Sequence, residues 1–119
     1  MPIPSGATVW PQPFDPSDRV DYALGFGPLF TGHEVIDVAQ VTLMPEAIAL
    51  GLTILEDEDH GPSIADDTNI ELYFEIEEEF RDNVLFLGGV DLPVEITVTT
   101  TATPPRRFQR TVVLKVAQL

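Results

Sequence analysis

Apolar side chains recur at every second position along most of this chain, and that period of two constrains the fold more than any other feature. It is cleanest over residues 70–80. There Ile70, Leu72, Phe74, Ile76 and Phe80 alternate with Glu71, Tyr73, Glu75, Glu77 and Glu79, with Glu78 alone out of phase. The same alternation puts Val20, Tyr22, Leu24 and Phe26 on one face of 20–26. It recurs in Val94, Ile96 and Val98, and in Phe108, Val112, Leu114 and Val116. Within 35–43 the phase shifts, from Ile36 and Val38 to Ala39, Val41 and Leu43, as a β-bulge would produce. Ile48, Leu50, Leu52 and Ile54 share a parity, although Pro45–Ala49 also fits a short helical turn. Val84-Leu85-Phe86-Leu87 is apolar on both faces and reads as a short buried strand ended by Gly88-Gly89. Ala102-Thr103-Pro104-Pro105 supplies the turn between the last two strands.

About seven short strands with Gly, Pro and Asp punctuation, and no helix of ordinary length, predict an all-β protein. The expected architecture is an antiparallel β-sandwich of immunoglobulin-like type, with a small barrel as the alternative. A chain of 119 residues suffices for one such two-layer domain. The immunoglobulin cysteine pair is absent, since the chain has no cysteine. That also removes disulfides, thiolate metal sites and a cysteine nucleophile.

Residues 1–19 differ from the rest. They hold five of the 11 prolines: Pro2, Pro4, Pro11, Pro13 and Pro16. Proline fixes its own φ, removes a donor and biases its predecessor toward extended backbone. The predicted organisation is therefore an extended N-terminal arm, 1–19, and a β-sandwich domain, 20–119. The arm carries Ile3, Val9, Trp10 and Phe14, which a solvated tail has little use for. They suit partner binding along a neighbour's surface, or folding back onto the edge of the domain's own core. As a tether, residues 1–18 should be removable with the fold intact.

Charge narrows the function. Twenty acidic and six basic residues give a net charge of -14, the wrong sign for neutralising phosphates of nucleic acid or docking on an anionic membrane. No apolar run is long enough to span a bilayer, and no basic-then-apolar leader is read at the N-terminus. The acidity is uneven. The first 95 residues carry all 20 acidic residues and two basic ones (-18). The last 24 carry only Arg106, Arg107, Arg110 and Lys115 (+4). These four sit within a strand pattern and are expected to be internal counter-charges or a docking edge for an acidic neighbour. The Glu71, Glu75, Glu77, Glu79 stripe is expected to face solvent.

Little points to chemistry. Glu56-Asp57-Glu58-Asp59 and Asp66-Asp67 offer oxygen ligands, but not at the spacing of the twelve-residue calcium loop. A solvated acidic loop over 56–67 is the expectation. His33 and His60 lie 27 positions apart in expected loops, without a third ligand in a metal-binding pattern. No nucleophile elbow or phosphate-cradling loop occurs. No catalytic residue, cofactor site or metal site is expected, so the chain is read as noncatalytic.

Several segments together resemble a known family. Asp15-Pro16-Ser17-Asp18-Arg19-Val20-Asp21-Tyr22 leads into the first strand. Gly27-Pro28-Leu29-Phe30, His33-Glu34-Val35-Ile36, Gly51-Leu52-Thr53-Ile54 and Gly88-Gly89 follow. A Thr-rich strand, Ile96–Thr101, and a basic one, Arg110–Val116, close the chain. This order resembles the small β-sandwich structural proteins of tailed bacteriophages, over about residues 15–116 with an acidic insertion near 56–82. It differs from their pattern at Gly25 and Gly27, and at Pro104-Pro105 in place of a Gly-containing turn. The resemblance implies a noncatalytic virion structural protein. The leading expectation is a capsid decoration (cement) protein on the capsid exterior, bound to the major capsid protein or another virion protein. Decoration proteins sit at local three-fold positions, so a homotrimer is one implied assembly. A neck or tail accessory protein is the nearest alternative. An immunoglobulin-like module binding carbohydrate or a cell-surface ligand through exposed Trp10 and Tyr73 is the other. Neither nucleic acid nor membrane is an expected partner.

Overall fold

A computed structural model describes Ile3 and residues 6–119. Pro2 and Pro4 of the expected arm lie outside the described residues. Among these, eight strands form two sheets. The first sheet contains β1 (Thr8–Val9), β8 (Arg107–Val116), β7 (Val90–Thr100) and β3 (Ile36–Leu43), in that order. The second places β6 (Asn69–Ile76) between β2 (Arg19–Gly25) on one side and β4 (Leu52–Ile54) and β5 (Ser63–Ala65) on the other. The chain is thus mostly β in two layers, as the alternation requires.

Each inward parity becomes core. Ile70, Leu72, Phe74 and Ile76 of β6 are fully buried. So are Val94, Ile96 and Val98 of β7, and Val112, Leu114 and Val116 of β8. The phase change in 35–43 is a register irregularity between Ile36 and Val38 in the β3–β7 ladder.

Two expectations are corrected and a third is narrowed. The alternation over 70–80 ends as a strand at Ile76, and Glu78–Phe80 is a turn of 3-10 helix. That ending explains the out-of-phase Glu78. It lets the Phe80 ring close over Gly51, where an added Cβ would stand 2.6 Å from the ring and φ is +87°. Only glycine tolerates that combination. Second, 84–87 is no buried strand. Leu85–Gly88 is a single helical turn, α2, in which only Phe86 is buried. Pro45–Ala49 is likewise helical, α1, and leads to β4. Strand β5 was not anticipated from the sequence: its three residues carry too little apolar pattern.

Third, of the two readings of the arm, residues 8–16 take the one in which it folds back onto the body. β1 runs parallel to β8, with Thr8 opposite Val112 and Val9 opposite Val113. Phe14 continues the contact as a bridge to Val116. Trp10 is 6% exposed and Phe14 fully buried. Trp10 lies 5.0 Å from the Tyr22 ring and 5.6 Å from Phe74, within the range where aromatic pairs attract. Its indole N–H donates to Ala23 C=O of β2 at 2.8 Å, and Tyr22 Oη donates to Gln12 C=O at 3.0 Å. The segment therefore pairs with the edge of one sheet and hydrogen-bonds to the edge of the other. The prolines keep it extended. The end of the chain locks it: Ala117 N–H donates to Phe14 C=O, and Leu119 N–H to the Asp15 carboxylate.

Candidate interaction surface

The four basic residues of the last 24 have different fates. Arg106 is an internal counter-charge. Its Nη1 donates to Glu34 Oε1 at 2.9 Å and to Thr31 Oγ1 at 3.2 Å. Glu34 is buried, its side chain 3% exposed, and every oxygen is used. Thr100 Oγ1 donates to Oε2 at 2.5 Å, and Thr31 N–H to Oε1 at 3.2 Å. The Thr100 hydroxyl, with help from the Thr31 N–H and Arg106, holds the carboxyl below its ordinary range despite burial. This network joins residues 72 positions apart, at the end of the sheet where β7 turns into β8. Lys115 pairs with Asp91 at 3.5 Å, directly across the β7–β8 ladder, with both side chains half exposed.

Arg107 and Arg110 have no carboxylate partner among the described residues. Arg110 Nη1 donates instead to the C=O of its neighbour Gln109 at 2.8 Å, and its guanidinium lies 5.9 Å from the Phe108 ring. Arg106 stands over the same ring at 4.8 Å, and Phe30 lies 5.9 Å from it. Cation–π attraction holds such guanidinium groups near the ring.

The edge beneath these residues is half covered. β1 pairs only with Val112 and Val113 of β8, and the bridge from Phe14 reaches Val116. The C=O groups of Val113 and Lys115 accept from Trp10 and Phe14 N–H at 3.1 and 2.8 Å, so odd-numbered residues aim their main-chain groups away from β7. By the alternation of an antiparallel ladder, Arg107, Gln109 and Thr111 do the same. Thr8 N–H of β1 meets Thr111 C=O there in the parallel ladder, and no strand among the described residues pairs with Arg107 or Gln109.

A second surface was missed by sequence reasoning. Val84 and Leu87 are 71% exposed and Leu85 52%, forming an apolar tip on the β6–β7 connection. The tip is held from below by Phe86, whose C=O accepts from Gln118 N–H at 2.8 Å. Asn83 Oδ1 accepts from Leu85 N–H at 2.9 Å. Asn before an apolar run and Gly after it are helix start and stop signals, which would have separated this turn from a strand. Beside it, a cleft of about 410 Å³ is lined by Pro13, Gly88, Gly89, Val90, Lys115 and Ala117. Of the expected arm contacts, Ile3 (38%) and Val9 (41%) stay exposed, while Trp10 and Phe14 do not.

The acidic loop organises itself. Asp57 Oδ1 accepts from Asp59 N–H, His60 N–H and His60 Nδ1 at 3.0, 2.8 and 2.8 Å, and the contact with His60 lowers its pKa first of all. His60 meets the Tyr73 ring edge-on at 5.1 Å. Among the described residues, no three His, Asp or Glu side chains converge as metal ligands. Glu75 of the acidic stripe is engaged by Arg19 at 3.1 Å and Arg81 at 3.2 Å. No helix among the described residues is long and apolar enough to cross a membrane. Comparison of the chain with protein-family models, curated proteins and solved structures finds no match in any of the three.

Proposed function

We propose that this chain is a noncatalytic virion structural protein of a tailed bacteriophage, acting as a decoration protein that docks on the outside of the capsid shell and bridges copies of the major capsid protein. In this reading the two sheets are an immunoglobulin-like body. The Pro-rich segment fastens that body internally, leaving Ile3 and Val9 as the part of the arm available to a neighbour. The observation that carries the proposal is the apolar tip. Like-charge repulsion opposes contact between copies of a body with net charge -14, yet the body projects Val84, Leu85 and Leu87 on a turn anchored by buried Phe86. Isolated apolar side chains on a surface are ordinary, but a contiguous rigid group of them is suited to a protein contact. The resemblance of residues 15–116 to phage sandwich proteins supplies the kind of partner. The carbohydrate-binding reading has less support, because Trp10 is spent in the core and the Tyr73 ring already contacts His60.

The test uses purified particles of the phage or prophage whose genome encodes the chain. Copy number is measured by quantitative mass spectrometry. Hundreds of copies per particle support shell decoration, a ring-sized number assigns the neck or tail, and absence from the particle overturns the reading. Val84→Asp with Leu87→Asp should abolish particle binding while the circular dichroism spectrum stays that of the parent, since both side chains are in solvent.

A further inference from the structure

We propose that the uncovered end of β8, Arg107–Arg110, is a strand-addition edge that accepts an acidic extended segment of a partner protein. The inference stands apart from the virion reading. It rests on two independent observations. One is the backbone: Arg107 and Gln109 turn their N–H and C=O groups away from β7 on the side where β1 covers only the strand from Thr111 onward. Exposed edges of this kind template the pairing of a further strand. The Gln109 C=O there is taken by Arg110 of the same chain, a contact an incoming N–H would replace.

The other observation is charge. In a chain with 20 acidic and six basic residues, Arg107 and Arg110 are left without a carboxylate among the described residues, while Arg19, Arg81, Arg106 and Lys115 each have one. An added strand with carboxylates at alternate positions would meet Arg107. Arg110 has the other parity and projects from the opposite face beside Phe108, so it lies outside that row of carboxylates. The Phe108 ring between them, half buried against Phe30, offers apolar surface to a side chain of the opposite parity. The long-range field of the body repels an acidic segment. At physiological ionic strength, however, that field is screened beyond about 8 Å, and Arg107 stands on the edge itself. Cations on an edge can also serve only to keep strands apart. In that case nothing adds to this one.

The probe is an acetylated, amidated peptide of alternating Thr and Glu, with an alternating Thr and Lys peptide as control. Both are titrated into isotope-labelled full chain and followed by amide chemical shifts and hydrogen exchange. The Thr/Glu peptide should shift and protect the amides of Arg107 and Gln109, and the Thr/Lys peptide should not. Arg107→Glu should weaken binding severalfold, the scale of one surface pair turned from attraction to repulsion. Gln109→Pro, which removes an outward N–H and keeps the Arg107 charge, should abolish protection. Both variants alter exposed positions, and their retained amide dispersion is checked first. No shift at the edge, equal binding of the two peptides, or an unaffected Gln109→Pro variant would each overturn the proposal.

Discussion

At the scale of single residues, Glu34 shows how a charged group is kept inside a small sandwich. Burying a carboxylate costs several kcal/mol unless hydrogen bonds and an opposite charge replace water. Here Thr100, Thr31 and Arg106 do so from two distant parts of the chain. Arg106 was legible in the sequence as a counter-charge, but its partner was not, because no local pattern links positions 72 apart. The pKa of Glu34 is lowered in the folded protein from 4.5, chiefly by the Thr100 hydroxyl. The folded state therefore prefers the ionised form. Its contribution to stability is complete above the unfolded value and is lost as pH falls through the folded one. Glu34→Gln keeps the shape and removes the titration. Urea midpoints should be lower for the variant at pH 7, and the gap should close as the solution is acidified below the usual carboxylate range. Parallel pH profiles for the two proteins would show that Glu34 is not linked to folding.

Among the elements, strong alternation was legible where one face is core and the other is wet, as in β6, β7 and β8. Even the bulge in β3 was readable as a change of parity between Ile36 and Ala39. The rest failed for physical reasons. Val84–Leu87 is apolar at every position, so periodicity cannot tell strand from helical turn, and the burial implied by composition is overridden by the turn that Asn83 starts. The proline segment announced extended backbone but not its neighbour, because pairing with β8 is set by a contact about 100 residues away and not by local pattern. Its role is nonetheless testable. Trp10 and Phe14 belong to the same core cluster as Tyr22 and Phe74, and truncating one large buried aromatic side chain typically costs about 3–5 kcal/mol. A small domain is stable by only about 5–15 kcal/mol. A chain beginning at Arg19, which lacks both side chains and the β1 ladder, should lose its cooperative thermal transition. Trp10→Phe, which conserves most of the ring but loses the bond to Ala23, should keep it at a lower midpoint. A truncated chain that melts as cooperatively as the parent would mean the segment is an appendage after all.

For the whole molecule, the decisive quantity is the imbalance between attraction and repulsion among charges. Of the four ion pairs that Arg and Lys make among the described residues, three involve exposed or partly exposed side chains and one, Arg106–Glu34, has a buried carboxylate. Exposed pairs contribute about 0–1 kcal/mol each, and salt weakens them. Against them stand 20 carboxylates with six cations, whose mutual repulsion disfavours the compact state more than the expanded one. Raising NaCl from about 0.01 M to about 1 M shortens the screening length from about 30 Å to about 3 Å. The weak pairs then lose little and the crowded negative body gains more. The thermal midpoint at pH 7 should therefore rise with salt by several degrees, the shift that about 1 kcal/mol produces in a domain of this size. Near the isoelectric point of about 4.1 the net repulsion is gone, and the same salt should no longer stabilise. Calorimetry at both pH values separates this from a general effect of salt on apolar burial, which would persist at the isoelectric point. A midpoint that falls with salt at pH 7 would mean that the ion pairs, rather than the excess of acid, govern the stability of the fold.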